Sequence, residues 1–371
     1  MNNTAVGLLL LVTISPSLGA QDAHVPVPPD SHAVPVYTIS FERGEQIPGL
    51  DAPAVVLPFQ CTEDGTVFFN QPRPPDPAAP FAANLEISSV SVSREVHSFP
   101  LNHVPDLYDI RQRDYYGSDS NVVFLVKAAR ENKQAMQTLT APDRSQVHGS
   151  ENVAEHYSYV LVFDREGKFQ EAVQIDEAFQ IVKLSVFPSG TFLAYGYDKS
   201  DQSPKLAMLK DDGKLMKFLE IPPGDAPESA LTSVPSDKGS SFSRIAPVQF
   251  VPSGRNIIVV QNKTSFPLLE VNEAGAIRAI RADLPNEAQI NTLIPSDNNL
   301  YARVNEGSVG TIYELNTRDG SVLRKFRMAE GGTANIACVH ERKFLSFETG
   351  QGKLLPLFGS MDFPAAPSPD R

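Results

Sequence analysis

Apolar residues along this chain fall in short runs separated by turn-forming clusters, a pattern of strands and tight turns rather than long helices. One unit recurs: an apolar run, a Pro-Ser-Gly-like turn, then a second apolar run. It appears as Leu184-Ser185-Val186-Phe187, Pro188-Ser189-Gly190 and Phe192-Leu193-Ala194-Tyr195. It returns as Phe250-Val251, Pro252-Ser253-Gly254 and Ile257-Ile258-Val259-Val260, and again as Leu293-Ile294 and Leu300-Tyr301-Ala302 around Pro295-Ser296-Asp297-Asn298. Looser copies occupy 59–69 around Asp64-Gly65 and 336–347 around Glu341-Arg342. The weakest runs over 107–126 with its turn at 117–121.

A second unit alternates with the first: a strand, an acidic turn ending in Gly, and another strand. Residues 157–163 turn at Asp164-Arg165-Glu166-Gly167 into 169–175, and 206–209 turn at Asp211-Asp212-Gly213 into 215–221. Residues 268–271 turn at Asn272-Glu273-Ala274-Gly275 into 277–280, and 311–315 turn at Arg318-Asp319-Gly320 into 322–326. The stretch 85–99 fits without a Gly. Gly in these turns supplies the positive φ that a tight hairpin requires.

The ends of the chain carry an unpaired copy. Residues 36–41, turning at Glu42-Arg43-Gly44 into Gln46 and Ile47, read as a second-kind hairpin with no first-kind partner before it. The first-kind unit at 336–347 has only the short run 354–358 after it. The units pair completely only if the N-terminal hairpin joins the C-terminal one, which is how a toroidal β-propeller closes its ring. The predicted fold is therefore all-β: a six-bladed β-propeller with four-stranded blades, closed by pairing of N-terminal and C-terminal strands. A seventh blade would have to lie within 70–84 or 128–156, both Pro-rich or polar with little alternation.

The pattern resembles the six-bladed propellers of the NHL and TolB-like superfamily. There a Phe-x-Pro-x-Gly turn joins the first two strands of a blade and an Asp-x-x-Gly-Lys hairpin closes it; Phe163-Asp164-Arg165-Glu166-Gly167-Lys168-Phe169 is the nearest match to that hairpin. The resemblance extends over nearly all of 35–360, and it implies architecture rather than activity.

Composition places the chain among globular proteins: of 371 residues, 41% are hydrophobic and 20% charged, with 31 Pro, 23 Gly and no Trp. A formal net charge of −12 repels phosphate backbones and anionic lipid, so no nucleic-acid partner is expected. Residues 5–15 form an apolar run too short to span a bilayer, followed by Pro16-Ser17-Leu18-Gly19-Ala20. Residues 1–20 are expected to be a cleaved signal peptide, 21–34 a flexible N-terminal segment, 35–360 a single propeller domain and 361–371 a disordered tail. A secreted or periplasmic monomer without membrane insertion follows. Cys61 and Cys338 are the two cysteines; in an oxidising compartment they could form a disulfide, or each could remain a buried free thiol.

Every long insertion falls on one side of the predicted blades: 70–84, 128–156 and 222–244. Long loops in a compact fold concentrate function. The position just past each second strand gives a polar column, Asn70, Lys127, Asp198, Asn262, Asn305 and Glu348, which could ring the mouth of a central channel. Oxygen-rich rings suit Ca²⁺ or a sugar-like ligand; lactonase-type propellers related to the resembled superfamily hold a divalent ion at such an axis, but Lys127 interrupts the ring here and the lactonase motifs around those ligands are not evident. Residues 106–116 bring Tyr108, Arg111, Arg113, Tyr115 and Tyr116 together, and aromatic residues with Arg are common in binding hot spots. No His-x-x-x-His, Gly-x-Ser-x-Gly or phosphate-cradling Gly-rich motif occurs, so no catalytic residue is assigned. Asn262-Lys263-Thr264 is a glycosylation sequon in a eukaryotic setting. The expected function is non-catalytic binding of a protein, peptide or glycan through the loop-bearing side, with no cofactor. The alternative is a metal-dependent, Ca-type hydrolase, lactonase or lyase with its ion in the channel.

Overall fold

The computed structural model describes residues 34–360 except 46, 48–55, 73–84, 92, 102–103, 131–155, 177–178, 201–202, 221–247, 262–267, 286–288, 297–298, 307–308, 329–335, 342 and 351–352. At 56–58, 71–72, 85–86, 261, 289, 305–306, 309, 348–350 and 353–360 it describes the backbone alone. Among the described residues there is no α-helix, and the fold is an all-β propeller.

Strand β1 (Val36–Arg43) precedes four sheets built in chain order. The first holds β2 (Val56–Cys61), β3 (Val67–Pro72), β4 (Leu85–Val90) and β5 (Val96–Phe99). The second holds β6 (Leu107–Gly117), β7 (Asn121–Arg130), β8 (His156–Asp164) and β9 (Phe169–Gln174). The third holds β10 (Phe179–Val186), β11 (Phe192–Asp198), β12 (Pro204–Leu209) and β13 (Leu215–Leu219). The fourth holds β14 (Val248–Ser253), β15 (Asn256–Gln261), β16 (Leu268–Val271) and β17 (Ile277–Ile280). Neighbours within each are antiparallel, so the turns after first and third strands emerge on one side of the sheet and the longer links on the other.

The remaining strands depart from the expected six separate sheets. β18 (Gln289–Ser296), β19 (Asn299–Glu306), β20 (Val309–Asn316) and β21 (Val322–Met328) continue through β1 into β24 (Lys353–Ser360), β23 (Lys343–Gly350) and β22 (Ile336–His340), giving one eight-stranded sheet and five sheets in all. The cause is β1, which bonds along two edges. Its first half runs parallel to β21, with Val36 opposite Lys325 and Ile39 opposite Met328. Its second half runs antiparallel to β24, with Ser40 opposite Ser360 and Arg43 opposite Leu357. The predicted hairpin at 36–47 is therefore corrected to a single strand. Glu42 and Arg43 do not turn because they lie in register with Phe358 and Leu357.

The tight turns follow from residue chemistry. Gly167 adopts φ 87 after Asp164, whose carboxylate accepts from the Lys168 N–H at 2.8 Å and whose carbonyl accepts from Gly167 at 3.2 Å. In the Gly-less hairpin between β4 and β5, Arg94 takes φ 66 instead, a conformation costing a non-Gly residue roughly 1–2 kcal/mol. The core lies between neighbouring sheets. Phe99, Phe124 and Phe163 pack with centroids 5.3–6.0 Å apart between the first and second sheets. Tyr301, Phe326 and Phe344 make the matching cluster where β1 joins the large sheet, with Ile39 buried beside them.

Residues 61–66, at the turn between β2 and β3, tie three other segments together. Cys61 is disulfide-bonded to Cys338, their Cα atoms 5.2 Å apart. The Glu63 carbonyl lies 3.1 Å from His340 Nδ1, and its carboxylate accepts from the Gly254 N–H at 2.7 Å. Arg165 donates to Asp64 at 2.7 Å, to Thr66 Oγ1 at 2.6 Å and to the Ser118 carbonyl at 2.6 Å. Partial burial pushes the Asp64 carboxyl up, but hydrogen bonds from Thr62 and Thr66 and the Arg165 charge outweigh it and hold the group below its usual range. Asp119 is crowded by the same turn; desolvation of its carboxyl and then the charges of Asp64 and Glu63 push it up, against Arg165.

The bridge closes 277 positions of chain. Cys61→Ser with Cys338→Ser is expected to lower unfolding free energy by about 2–5 kcal/mol in denaturant titrations. Reducing agent should reproduce the loss in the parent protein and leave the variant unchanged. Asp119→Asn should raise the melting temperature at neutral pH and lose that advantage once the parent carboxyl is protonated.

Candidate active face of the second sheet

The least regular strand carries the densest polar chemistry. β6 breaks alternation twice, with register shifts between Tyr108 and Arg111 and between Gln112 and Asp114. Bulges of this kind re-aim side chains and gather near functional sites. Asp106 and Asp109 sit at φ 60 and 48, which their short polar side chains tolerate better than most. The bulge turns Asp109 toward His156, the first residue of β8, and Nε2 of that ring lies 2.7 Å from Asp109 Oδ2. Arg111 donates to the same carboxylate through Nη2 at 2.7 Å and Nε at 3.3 Å. Partial burial raises the Asp109 carboxyl; the hydrogen bonds from Arg111 and His156, then their charges, more than reverse this and leave it below the ordinary value.

Around that triad the sequence-predicted residues separate into two groups. Tyr108 and Arg113 are exposed, Lys127 is half-buried, and Arg111 lies opposite Lys127 in the β6–β7 register. Tyr115 and Tyr116 belong to the packing instead. Tyr115 donates to the Phe68 carbonyl at 3.3 Å, and Tyr116 is only 2% exposed in the core. Burial pushes both phenols far up, the charge of Asp114 adding at Tyr115 and those of Asp119 and Glu63 at Tyr116.

Of the polar column, the side chains of Asn70, Lys127 and Asp198 are described. Asn70 is buried and accepts from Gln112 Nε2 at 3.1 Å. Asp198 binds its own link, accepting from the Ser200 N–H at 2.8 Å, the Ser200 hydroxyl at 2.6 Å and Lys205 Nζ at 3.1 Å. These bonds, Ser200 first, bring its carboxyl down to about 2. Asn305 and Glu348 lie opposite Gly310 and Leu355 in the strand register, their side chains outside the described set, and Asn262 lies outside the described residues with its sequon. Among the described residues no group of three His, Cys, Asp or Glu is placed to hold a metal ion.

Several important residues escape sequence reasoning. Asp109 and His156 are 47 positions apart, as Gln112 and Asn70 are 42 apart. Asp114, buried, accepts from Lys183 Nζ at 2.8 Å and from the Leu184 N–H at 3.0 Å on β10. Gln60 accepts from the Gly117 N–H at 3.0 Å, and Gln249 donates to the Leu293 carbonyl at 3.2 Å. The available signal was a polar residue within an apolar first strand, a position otherwise costly to bury.

No protein-family model matches the chain, and no curated protein matches it. Solved structures resemble it weakly. A streptogramin B lyase structure is 11% identical with a TM-score of 0.41, over 86% of this chain and 97% of the other. A virginiamycin B lyase from Staphylococcus aureus is 11% identical at 0.40, over 88% and 90%. YCF48 bound to D1 peptide is 11% identical at 0.39, over 90% and 100%. Likeness of this size leaves function to be argued from the chain's own residues.

Asp198, Asp109 and Asp64 all ionise more readily folded than unfolded. Their stabilisation is present above the ordinary carboxylate value of 3.8 and is lost as pH falls, for Asp198 through about 2. Melting temperature followed from pH 7 to acid should drop over that window, and Asp198→Asn should flatten the drop. A His156→Ala variant should raise the Asp109 carboxyl titration seen by NMR, because one hydrogen bond to its charged form is gone.

Proposed function

We propose that this chain is an exported, non-catalytic six-bladed β-propeller that binds a protein, peptide or glycan partner on its link side, at the β6–β9 sheet. The count of six takes the eight-stranded sheet as two blades meeting at β1, one of β18 to β21 and one of β22, β23, β24 and β1. In support, the first strands contact one another in a cycle: β2 with β6, β6 with β10, β10 with β14, β14 with β18, β18 with β22, and β22 with β2. Export fits the buried disulfide, which persists in oxidising compartments.

The observation that carries the binding reading is the bulged, positive-φ Asp109 holding Arg111 and His156, one position after exposed Tyr108 in the chain. A bulge that re-aims a polar side chain at the surface is a feature enriched beside functional sites. Arg and exposed aromatic residues on one strand are common components of recognition surfaces. The channel-metal alternative is less favoured because Asn70 and Asp198 already spend their oxygens on Gln112, Ser200 and Lys205.

A photo-crosslinking residue at Tyr108, in the protein produced in its own host, is expected to form a discrete adduct that Arg111→Glu abolishes. The same residue at exposed Met216 should not form it. Calcium or zinc should leave the melting temperature unchanged. A rise of several degrees, removed by Asp198→Ala with Glu348→Ala, would transfer the chain to the metal-dependent reading.

A further inference from the structure

The link-side half of β6 and β7 is cationic within a strongly acidic protein. It holds Arg111, Arg113, Lys127 and Arg130 against Asp106 and Asp109, while the whole chain carries 44 acidic and 32 basic residues. The acids there are largely committed. Asp109 is engaged by Arg111 and His156. Asp114, the nearest other carboxylate on β6, has one oxygen on Lys183 and the other on the Leu184 N–H, so it does not neutralise Arg113. Arg113 and Lys127 pair with no carboxylate among the described residues, and Arg111 faces Lys127 across the register with Arg113 at the adjoining bulge.

Like charges gathered on neighbouring strands repel, so leaving them unpaired costs stability unless an anion arrives. Resting on the binding reading above, we infer that this patch recognises a short acidic peptide segment, its carboxylates meeting Arg113, Lys127 and the outward side of Arg111, with Tyr108 flanking. Length follows from two scales. Five residues of strand span about 16 Å, so the patch accommodates roughly five or six extended peptide residues. Screening acts over about 8 Å at physiological ionic strength, so a short segment feels the local cations rather than the net −12 of the chain. A longer polyanion would extend over the acidic remainder and be repelled, which favours a peptide over a sulfated glycan or nucleic acid. The same repulsion elsewhere on the surface confines the acidic segment to this patch.

The test is fluorescence anisotropy with the full chain and rhodamine-labelled hexapeptides, alternating Glu-Gly against alternating Gln-Gly. The Glu peptide is expected to bind, weakening with salt, and the Gln peptide to bind at least about tenfold less tightly. Arg113→Glu with Lys127→Glu should abolish the preference. Arg113→Gln with Lys127→Gln should reduce it, and both variants should melt no lower than the parent. Lys214→Glu, an exposed turn-side exchange, should change neither. Equal binding of both peptides, lost on Arg111→Glu, would overturn the acidic preference and leave the binding reading standing. Glu-peptide binding indifferent to Arg113, Lys127 and Arg111 would overturn both. Absence of binding by the Glu peptide, or tighter binding of a heparin hexasaccharide, would overturn the inference of an acidic peptide.

Discussion

The edge of a β-sheet is a row of backbone donors and acceptors that must be satisfied, and most of what is particular to this protein answers that demand. The first strands β2, β6, β10 and β14 are edges of their sheets, and side chains of one meet backbone groups of the next. Gln60 serves Gly117, Asp114 serves Leu184 and Gln249 serves Leu293. The outer edges of β21 and β24 meet the same requirement through β1, which divides its length between them. One strand used twice is why two groups of strands fuse into a single sheet.

On the turn side, residues 61–66 concentrate the covalent and polar ties. The disulfide to Cys338 joins segments far apart in the chain, and Glu63 and Asp64 reach the β14–β15 turn and Arg165. These bonds fasten the β2–β3 turn to β22 and to the turns that carry Gly254 and Arg165. The link side differs. Around β6 the backbone departs from ideal values at Asp106 and Asp109, and the register slips twice.

Poor alternation in 106–116 had a definite physical meaning. A strand that slips its register at Tyr108 and again after Gln112 cannot show a clean two-residue period, so the weakest repeat of the sequence became one of the longest strands. Tyr115 and Tyr116 show the converse limit. Their composition suggested a hot spot, but the second slip directs one hydroxyl to the Phe68 carbonyl and buries the other ring. The opening hairpin failed for a similar reason. Glu42-Arg43-Gly44 has turn chemistry, but pairing with Phe358 and Leu357 extends it, and tertiary pairing overrides local preference.

By itself the sequence determined the all-β class and the Gly-bearing turns from Gly167 onward, because Gly in a turn cluster between short apolar runs encodes local geometry. Gly167, Gly190, Gly213, Gly254, Gly275 and Gly320 all adopt the positive φ that their positions demanded. Tertiary structure alone decided which polar residues meet. Asp109 with His156, Asn70 with Gln112, Asp114 with Lys183 and Cys61 with Cys338 are contacts between strands distant in the chain, and spacing along the sequence carries no record of such distances in space.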